Sequence, residues 1–367
     1  MSSMLPFNIV AEGFVSRRPE AGPTAVAAGP RCALTPRGDL VCSFMVQEAL
    51  GWNDFKPMLA RSADGGVTWR EEGLIWPGLA ASQSIFGSIS RAPSGELLFF
   101  GARTPIAQPG ESNWCEATQG LKQNELIWSR STDGGTSWTD PQPIPMPFPG
   151  AAEAPGALCA TRAGVWHACY SPYNTFDPNV KPERNQVVLL TSPDRGCIWR
   201  HTAMLRWADP LFTAAEAWVV ELADGRLLGT CWNLNQRDGT DFPNAYAVSK
   251  DGGTTWSPTR STGILGQSTA LCPLPDGRAF FIYNQRKHGE PGVWLAAVQP
   301  TAADFGVKWN HVLWKAPAPG KSGHAEWTNF GFGEPSVTFL PDGTFLAVLW
   351  CLGDDGRGIR YVKGKMS

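Results

Sequence analysis

The chain has 367 residues, of which 31 are basic and 33 acidic, for a net charge of −2; 17% of residues are charged and 43% apolar. That balance excludes a disordered chain and a polybasic nucleic-acid binder. The longest apolar runs, such as 344–350, fall far short of the roughly 18 residues that span a bilayer, so neither nucleic acid nor membrane is expected as a partner. Forty glycines and 31 prolines make 71 residues, close to a fifth of the chain, which calls for many turns and few long helices. The opening MSSMLPFNIVAEGF carries no basic segment followed by an apolar one, so the expectation is a cytoplasmic protein without a secretory signal. Nine cysteines, an odd number with no C-x-x-C pair, read as reduced core thiols rather than a zinc site or a disulfide framework.

Two repeats run along the chain. The first is SADGGVTW (62–69), STDGGTSW (131–138), SPDRGCIW (192–199) and SKDGGTTW (249–256), with starts 69, 61 and 57 residues apart. Each follows a strand-like run. Gly-Gly supplies positive φ, Asp accepts from nearby backbone N–H groups, and the closing Trp is large enough to plug a gap between sheets. The second repeat is a hairpin turn inside alternating apolar runs, centred on Gly38, Gly95, Gly164, Gly225, Gly277 and Gly343, with gaps of 57, 69, 61, 52 and 66. Each unit of about 60 residues reads as four antiparallel strands, a propeller-blade pattern. The fifth unit has VQPTAADFGVKW (298–309) in place of its Asp-Gly turn, and the sixth ends after GIRYVKG. Its missing strand is supplied by FNIVAEGFV (7–15). The expected fold is all-β: residues 1–367 as a single six-bladed propeller of four-stranded antiparallel blades, closed by the N-terminal strand.

The Asp-box repeats resemble the sialidase superfamily, along essentially the whole chain. AEAWVVELADGRLL (215–228) is similar to the run around that family's site glutamate, and GEPSVTFLPDGTFLAVLW (333–350) to its last blade. The resemblance implies a carboxylate-binding arginine triad, a tyrosine nucleophile partnered by glutamate, and an aspartate acid/base. Glu216 matches the glutamate and Asp54 stands in the acid/base loop, but Ala28 and Asn244 occupy two arginine positions, GVWLAAV (292–298) lacks the third, and Glu334 replaces the tyrosine. The missing arginines argue against sialic acid as substrate.

The loops expected at one channel mouth are rich in aromatic, amide and basic residues, which suit a sugar's apolar faces and hydroxyl rim. From them come the expected substrate-binding residues Trp52, Arg103, Glu153, Tyr173, Arg237, Asn244, Gln267, Tyr283, Arg286, His288, His324 and Trp327. Glu153, Glu216 and Glu334 precede their blade's hairpin glycine by 11, 9 and 9 residues, which puts them near the channel axis, where crowded carboxylates raise one another's pKa. Their structural alternative is to cap loop N–H groups or to pair with Arg31, Arg103, Arg237 or Arg286. The expectation is a saccharide or glycoside ligand and glycosidic cleavage, with Asp54 or Glu216 as acid/base and Glu334 as nucleophile, and with no metal and no cofactor. A non-catalytic carbohydrate-binding propeller, or a uronate lyase using His288 or His324, are the alternatives.

Overall fold

The computed structural model describes residues 6–154, 156–317, 331–353 and 356–367. Six antiparallel blades surround a channel, five of four strands and the third of five, since both Ala151–Glu153 and Cys159–Ala160 pair with Trp166–Tyr173, and the first strands of neighbouring blades pack against one another around it. Among the described residues the only helical element is a single 3-10 turn, Pro77–Leu79, and no helix is long and apolar enough to cross a membrane.

The hairpin glycines set the blade pattern. All six have positive φ, from 79° to 94°, and each donates its N–H to the carbonyl three residues back, as in Gly38 to Thr35 at 3.0 Å and Gly225 to Leu222 at 3.0 Å. A type I turn closed by a left-handed residue joins strands with the correct twist, and only Gly takes that conformation cheaply. The Asp boxes sit at the third-to-fourth strand turns. In the first box Asp64 accepts from the Val67 and Thr68 N–H groups at 3.0 and 2.9 Å, and Ser62 Oγ accepts from Gly66 N–H at 2.8 Å. The other three repeat this with Asp133, Asp194 and Asp251. These bonds hold the aspartates below the ordinary carboxylate range, near 2 for Asp133 and Asp251.

The box tryptophans do pack between blades. Trp69 lies against the core shared by blades six and one, Trp138 against blades one and two, Trp199 against two and three, and Trp256 against three and four. In the fifth blade Phe305 fills the same role, its ring 5.0 Å from Tyr246 and 5.3 Å from Phe281. The core is thus distributed between the blades rather than gathered at one centre.

The N-terminal strand Phe7–Arg17 pairs antiparallel with Gly356–Met366, so the first and last segments share the sixth blade. Between the second and third strands of blade two lies a small ribbon, Trp114–Cys115 with Gly120–Leu121, and this segment bridges to neighbouring blades through Trp52–Ser112 and Leu121–Thr175. All nine cysteines carry free thiols, with Cys197 exposed.

Closure depends on Phe7, 2% exposed and seated 5.7 Å from Trp309 and 5.6 Å from Phe345. Phe7→Ala is expected to lower the unfolding free energy by about 3–5 kcal/mol. Urea denaturation checks this, and a loss below about 1 kcal/mol would show that the strand closes the ring without that anchor.

Candidate active site

Four first strands break their ladder at one height. The pairing shifts between Ala28 and Arg31, Ala215 and Trp218, Gln267 and Ala270, and Gly333 and Ser336. At each break one residue is left-handed: Gly29 (φ 59°), Glu216 (51°), Ser268 (52°) and Glu334 (46°). Such a bulge takes a residue out of the sheet and re-aims its side chain. Glycine is the residue that fits it; a side chain there carries strain of order 1–3 kcal/mol, typical of functional positions.

A bulge also frees a backbone N–H, and at this mouth side chains of the preceding blade take it up. Glu153 Oε2 accepts from Glu216 N–H at 2.7 Å, and Glu334 Oε2 accepts from Gly29 N–H at 2.8 Å. The Asn284 amide, oriented by its donors, accepts from Glu334 N–H at 3.2 Å and Arg286 Nη2 at 3.1 Å. Ser268 Oγ donates to Glu216 Oε1 at 2.8 Å, while Glu216 Oε2 is buried without a partner. Glu153 and Glu334 therefore do cap N–H groups, yet both also line the cavity that Glu216 and Ser268 line.

That cavity is about 250 Å³ and is bounded by Tyr173 and Trp114 on one flank, Trp232 and Lys287 on another, and Trp350 and Arg286 deeper in. Burial pushes Glu216 up to about 7, helped by the Glu334 charge and opposed by the Ser268 hydroxyl and by Arg286 and Arg31. Glu153 is held well above the carboxylate range by burial and then by Glu216, with no arginine acting against it. Glu334 is also raised by burial, but Arg31, the Gly29 N–H and Arg286 all favour its anion.

The buried arginines serve the backbone. Arg31 Nη1 donates to Pro30 O at 2.7 Å and Glu334 O at 3.0 Å, with the guanidinium 5.0 Å from the Trp218 ring. Arg286 Nη2 and Nε donate to Phe332 O at 2.8 and 3.2 Å. Their forks hold carbonyls in the first strands of blades one and six, beside the bulges.

Of the residues expected from sequence, the structure brings Glu153, Tyr173, Glu216, Arg286 and Glu334 together on the cavity wall. Tyr173 is buried, with Arg184 over its ring at 4.2 Å; burial raises its hydroxyl, and the Arg184 charge opposes the shift. The remaining described residues do not line the cavity. Asp54 accepts from Glu48 N–H at 3.0 Å and from Lys56 at 3.3 Å. Arg103 pairs with Glu125 at 2.7 Å, and Arg237 lies in an exposed turn. Tyr283 shares hydrogen bonds with Asn310 and is pushed up to about 12 by burial, and Asn244 is fully buried. Gln267 and His288 both bind Asp241, at 2.6 and 2.7 Å. Trp52 packs beside Gly110, and His324 and Trp327 fall outside the described residues.

Sequence reasoning missed Ser268, Gln47, Trp114, Trp232, Lys287 and Trp350 on the wall. A signal existed for Ser268: like Gly29, Glu216 and Glu334, it stands nine residues before its hairpin glycine (277 − 268 = 9).

These features define a propeller of the sialidase-like superfamily, whose members include glycoside hydrolases. The chain belongs to the BNR repeat-like domain family, which matches residues 113–346. It is 26% identical over 232 residues to a sialidase of Bacteroides fragilis, an alignment covering 59% of this chain and 40% of that protein. The chain thus spans well under half the length of that curated relative. Among solved structures it is similar to a protein of unknown function from Dyadobacter fermentans, at TM-score 0.76 and 20% identity over 99% of this chain and 100% of that one. The NanB sialidase of Streptococcus pneumoniae superposes at TM-score 0.63 and 16% identity over 98% and 71%. An α-L-arabinanase of Penicillium chrysogenum complexed with arabinobiose gives TM-score 0.63 and 15% identity over 97% and 98%.

The raised Glu216 makes a stability prediction. Its folded pKa of about 7 lies above the ordinary 4.5, so its contribution is full below 4.5 and lost as pH rises through 7. Glu216→Gln, neutral throughout, is expected to melt close to wild type at pH 4.5 and a few degrees higher at pH 8, a gap of roughly 3 kcal/mol. Equal gaps at the two pH values in thermal melts would show that the buried charge is not the cause.

Proposed function

We propose that this protein is a glycoside hydrolase acting on a neutral sugar, with Glu216 as general acid/base and Glu334 as the second carboxylate. The observation that carries the reading is the unequal environments of two buried glutamates on one cavity: burial raises both and Arg31 and Arg286 ease both, but Glu334 also accepts the Gly29 N–H, while Glu216 is raised further by the Glu334 charge. Glu216, near 7, has a free Oε2 and can hold a proton at working pH. Glu334 is favoured as an anion by Arg31, Arg286 and the Gly29 N–H. Carboxyl groups whose environments push their pKa values apart are what glycosidic cleavage uses, one to protonate the leaving oxygen and one to meet the developing positive charge at the anomeric carbon.

The neutral substrate follows from the arginines. A carboxylate on the sugar needs guanidinium forks aimed into the cavity, whereas Arg31 and Arg286 direct donors at Pro30, Glu334 and Phe332 carbonyls. A cavity of 250 Å³ has room for about one ring and part of its neighbour.

The test is a panel of neutral aryl glycosides and oligosaccharides alongside sialosides and uronides, followed by product NMR. Turnover of a neutral glycoside is expected, falling above pH about 7 as Glu216 loses its proton. Glu216→Gln and Glu334→Gln are each expected to lower kcat by at least about 100-fold. If Glu153→Gln matches that loss while Glu334→Gln does not, the second carboxylate is Glu153. Binding without turnover across the panel would make the propeller a carbohydrate-binding module, and an unsaturated product would make it a lyase.

A further inference from the structure

The flank of the cavity between blades four and five holds a buried anion that the glutamate chemistry does not use. Asp241 opens the strand Asp241–Ser249, and its side chain is 0% exposed. Its two oxygens collect donors from three directions. Oδ1 accepts the Trp232 indole N–H at 2.9 Å. Oδ2 accepts from Gln267 Nε2 at 2.6 Å and from His288 Nε2 at 2.7 Å, and the Lys287 ammonium stands 3.8 Å away. A carboxylate only accepts, so His288 presents the N–H of Nε2 to it. Gln267 is fixed in turn, because its Oε1 accepts from Arg286 N–H at 3.2 Å.

An exposed or loosely held aspartate gains little from such partners, but a buried one is costly unless every lone pair is answered. Here the donors are not spread over the protein. Two of them, Trp232 and Lys287, are wall residues of the cavity, and the donor that takes Oδ1 is the indole itself. Trp232 is half-buried and lines the cavity, and its one hydrogen bond from the indole goes to Asp241.

We infer that Asp241 is a positioning residue that locks the Trp232 indole as the sugar-stacking wall of the cavity. The inference rests on the hydrolase reading for the identity of the ligand, but the lock itself is a property of the free protein. Stacking affinity depends on a ring already being in place, because ordering it on binding subtracts from the interaction. The expected kinetic signature is therefore in binding rather than in the chemical step.

The experiment uses the full chain labelled with ¹⁵N, with the Trp232 indole signal assigned by its loss in Trp232→Phe. In wild type that N–H should exchange slowly, and Asp241→Asn should shift it and speed its exchange by at least about tenfold. On whichever neutral glycoside the panel identifies, Asp241→Asn should raise KM about tenfold and leave kcat within about threefold. An unchanged indole signal overturns the inference whether or not a substrate has been found, and so does an unchanged KM beside a moved indole. If no sugar binds or reacts with wild type, the hydrolase reading falls with the stacking role, while the indole measurement still decides whether Asp241 holds the ring. Should Asp241→Asn fail to fold, replacing Trp232 with 3-benzothienylalanine, whose ring sulfur stands in place of the N–H, keeps a bicyclic ring and removes the bond. It is expected to raise KM with kcat near wild type, and wild-type KM in that variant would overturn the inference.

Discussion

The structure depends on a local fault repeated around the channel: a one-residue bulge in the first strand of four blades, at one height. A regular antiparallel ladder alternates its side chains between the two faces of a sheet and uses every backbone N–H for pairing. The bulge suspends both rules for a residue. It releases a side chain from the sheet face, and it leaves an N–H that must find an acceptor. At Gly29 and Glu216 that acceptor is a glutamate of the preceding blade. The carboxylates that line the cavity and the bonds that tie blades together at this mouth are therefore the same groups.

This double duty explains why three acidic side chains persist in a site where burial makes each costly. Burial raises all three, and the charge of a neighbouring glutamate adds to the shifts of Glu153 and Glu216. The N–H caps and the two arginines offset part of these shifts unevenly, which is how chemically identical groups come to differ. The rest of the propeller supplies the stability that the mouth gives up. Box aspartates, satisfied by backbone N–H groups, and tryptophans wedged between blades lie away from the cavity and carry no strain of this kind.

Much of the fold was legible because its parts are local. A hairpin glycine at positive φ and an aspartate answering its own turn's N–H groups are written within a few residues, so six turns and four boxes can be counted from sequence. The N-terminal strand was legible by subtraction, since a closed ring leaves no blade short. The site was legible only where it shares that local ruler. Glu216 and Glu334 stand at the bulge offset, and so do Ser268 and Gly29, whose side chains gave no chemical cue. Long loops have no such ruler. Asp54 and Arg237 belong to mouth loops, where Asp54 accepts from the Glu48 N–H and Arg237 gives its backbone N–H to Asn235, while Arg103 lies in the strand Leu97–Pro105 and pairs with Glu125 directly across the ladder. Tyr283 illustrates the other failure: it sits in a strand, and alternation turned it toward Asn310 and away from the cavity. Asp241 was invisible because its meaning lies in four partners from two blades.

The bulge position also separates what the fold requires from what the chemistry requires. Folding asks only that the residue tolerate a left-handed backbone and that its N–H be capped, and Gly29 meets both conditions with no side chain at all. Ser268 adds a hydroxyl that points at Glu216, and Glu216 and Glu334 add carboxylates. One backbone geometry thus presents nothing, a neutral donor or an acid at successive places around a single cavity, with the carboxylates' ionisation then set by what the neighbouring blade offers. In such an architecture the chemistry can change at the bulges while the blades, boxes and hairpins stay as they are. Around this cavity the same frame carries a glycine, a serine and two glutamates at its four bulges.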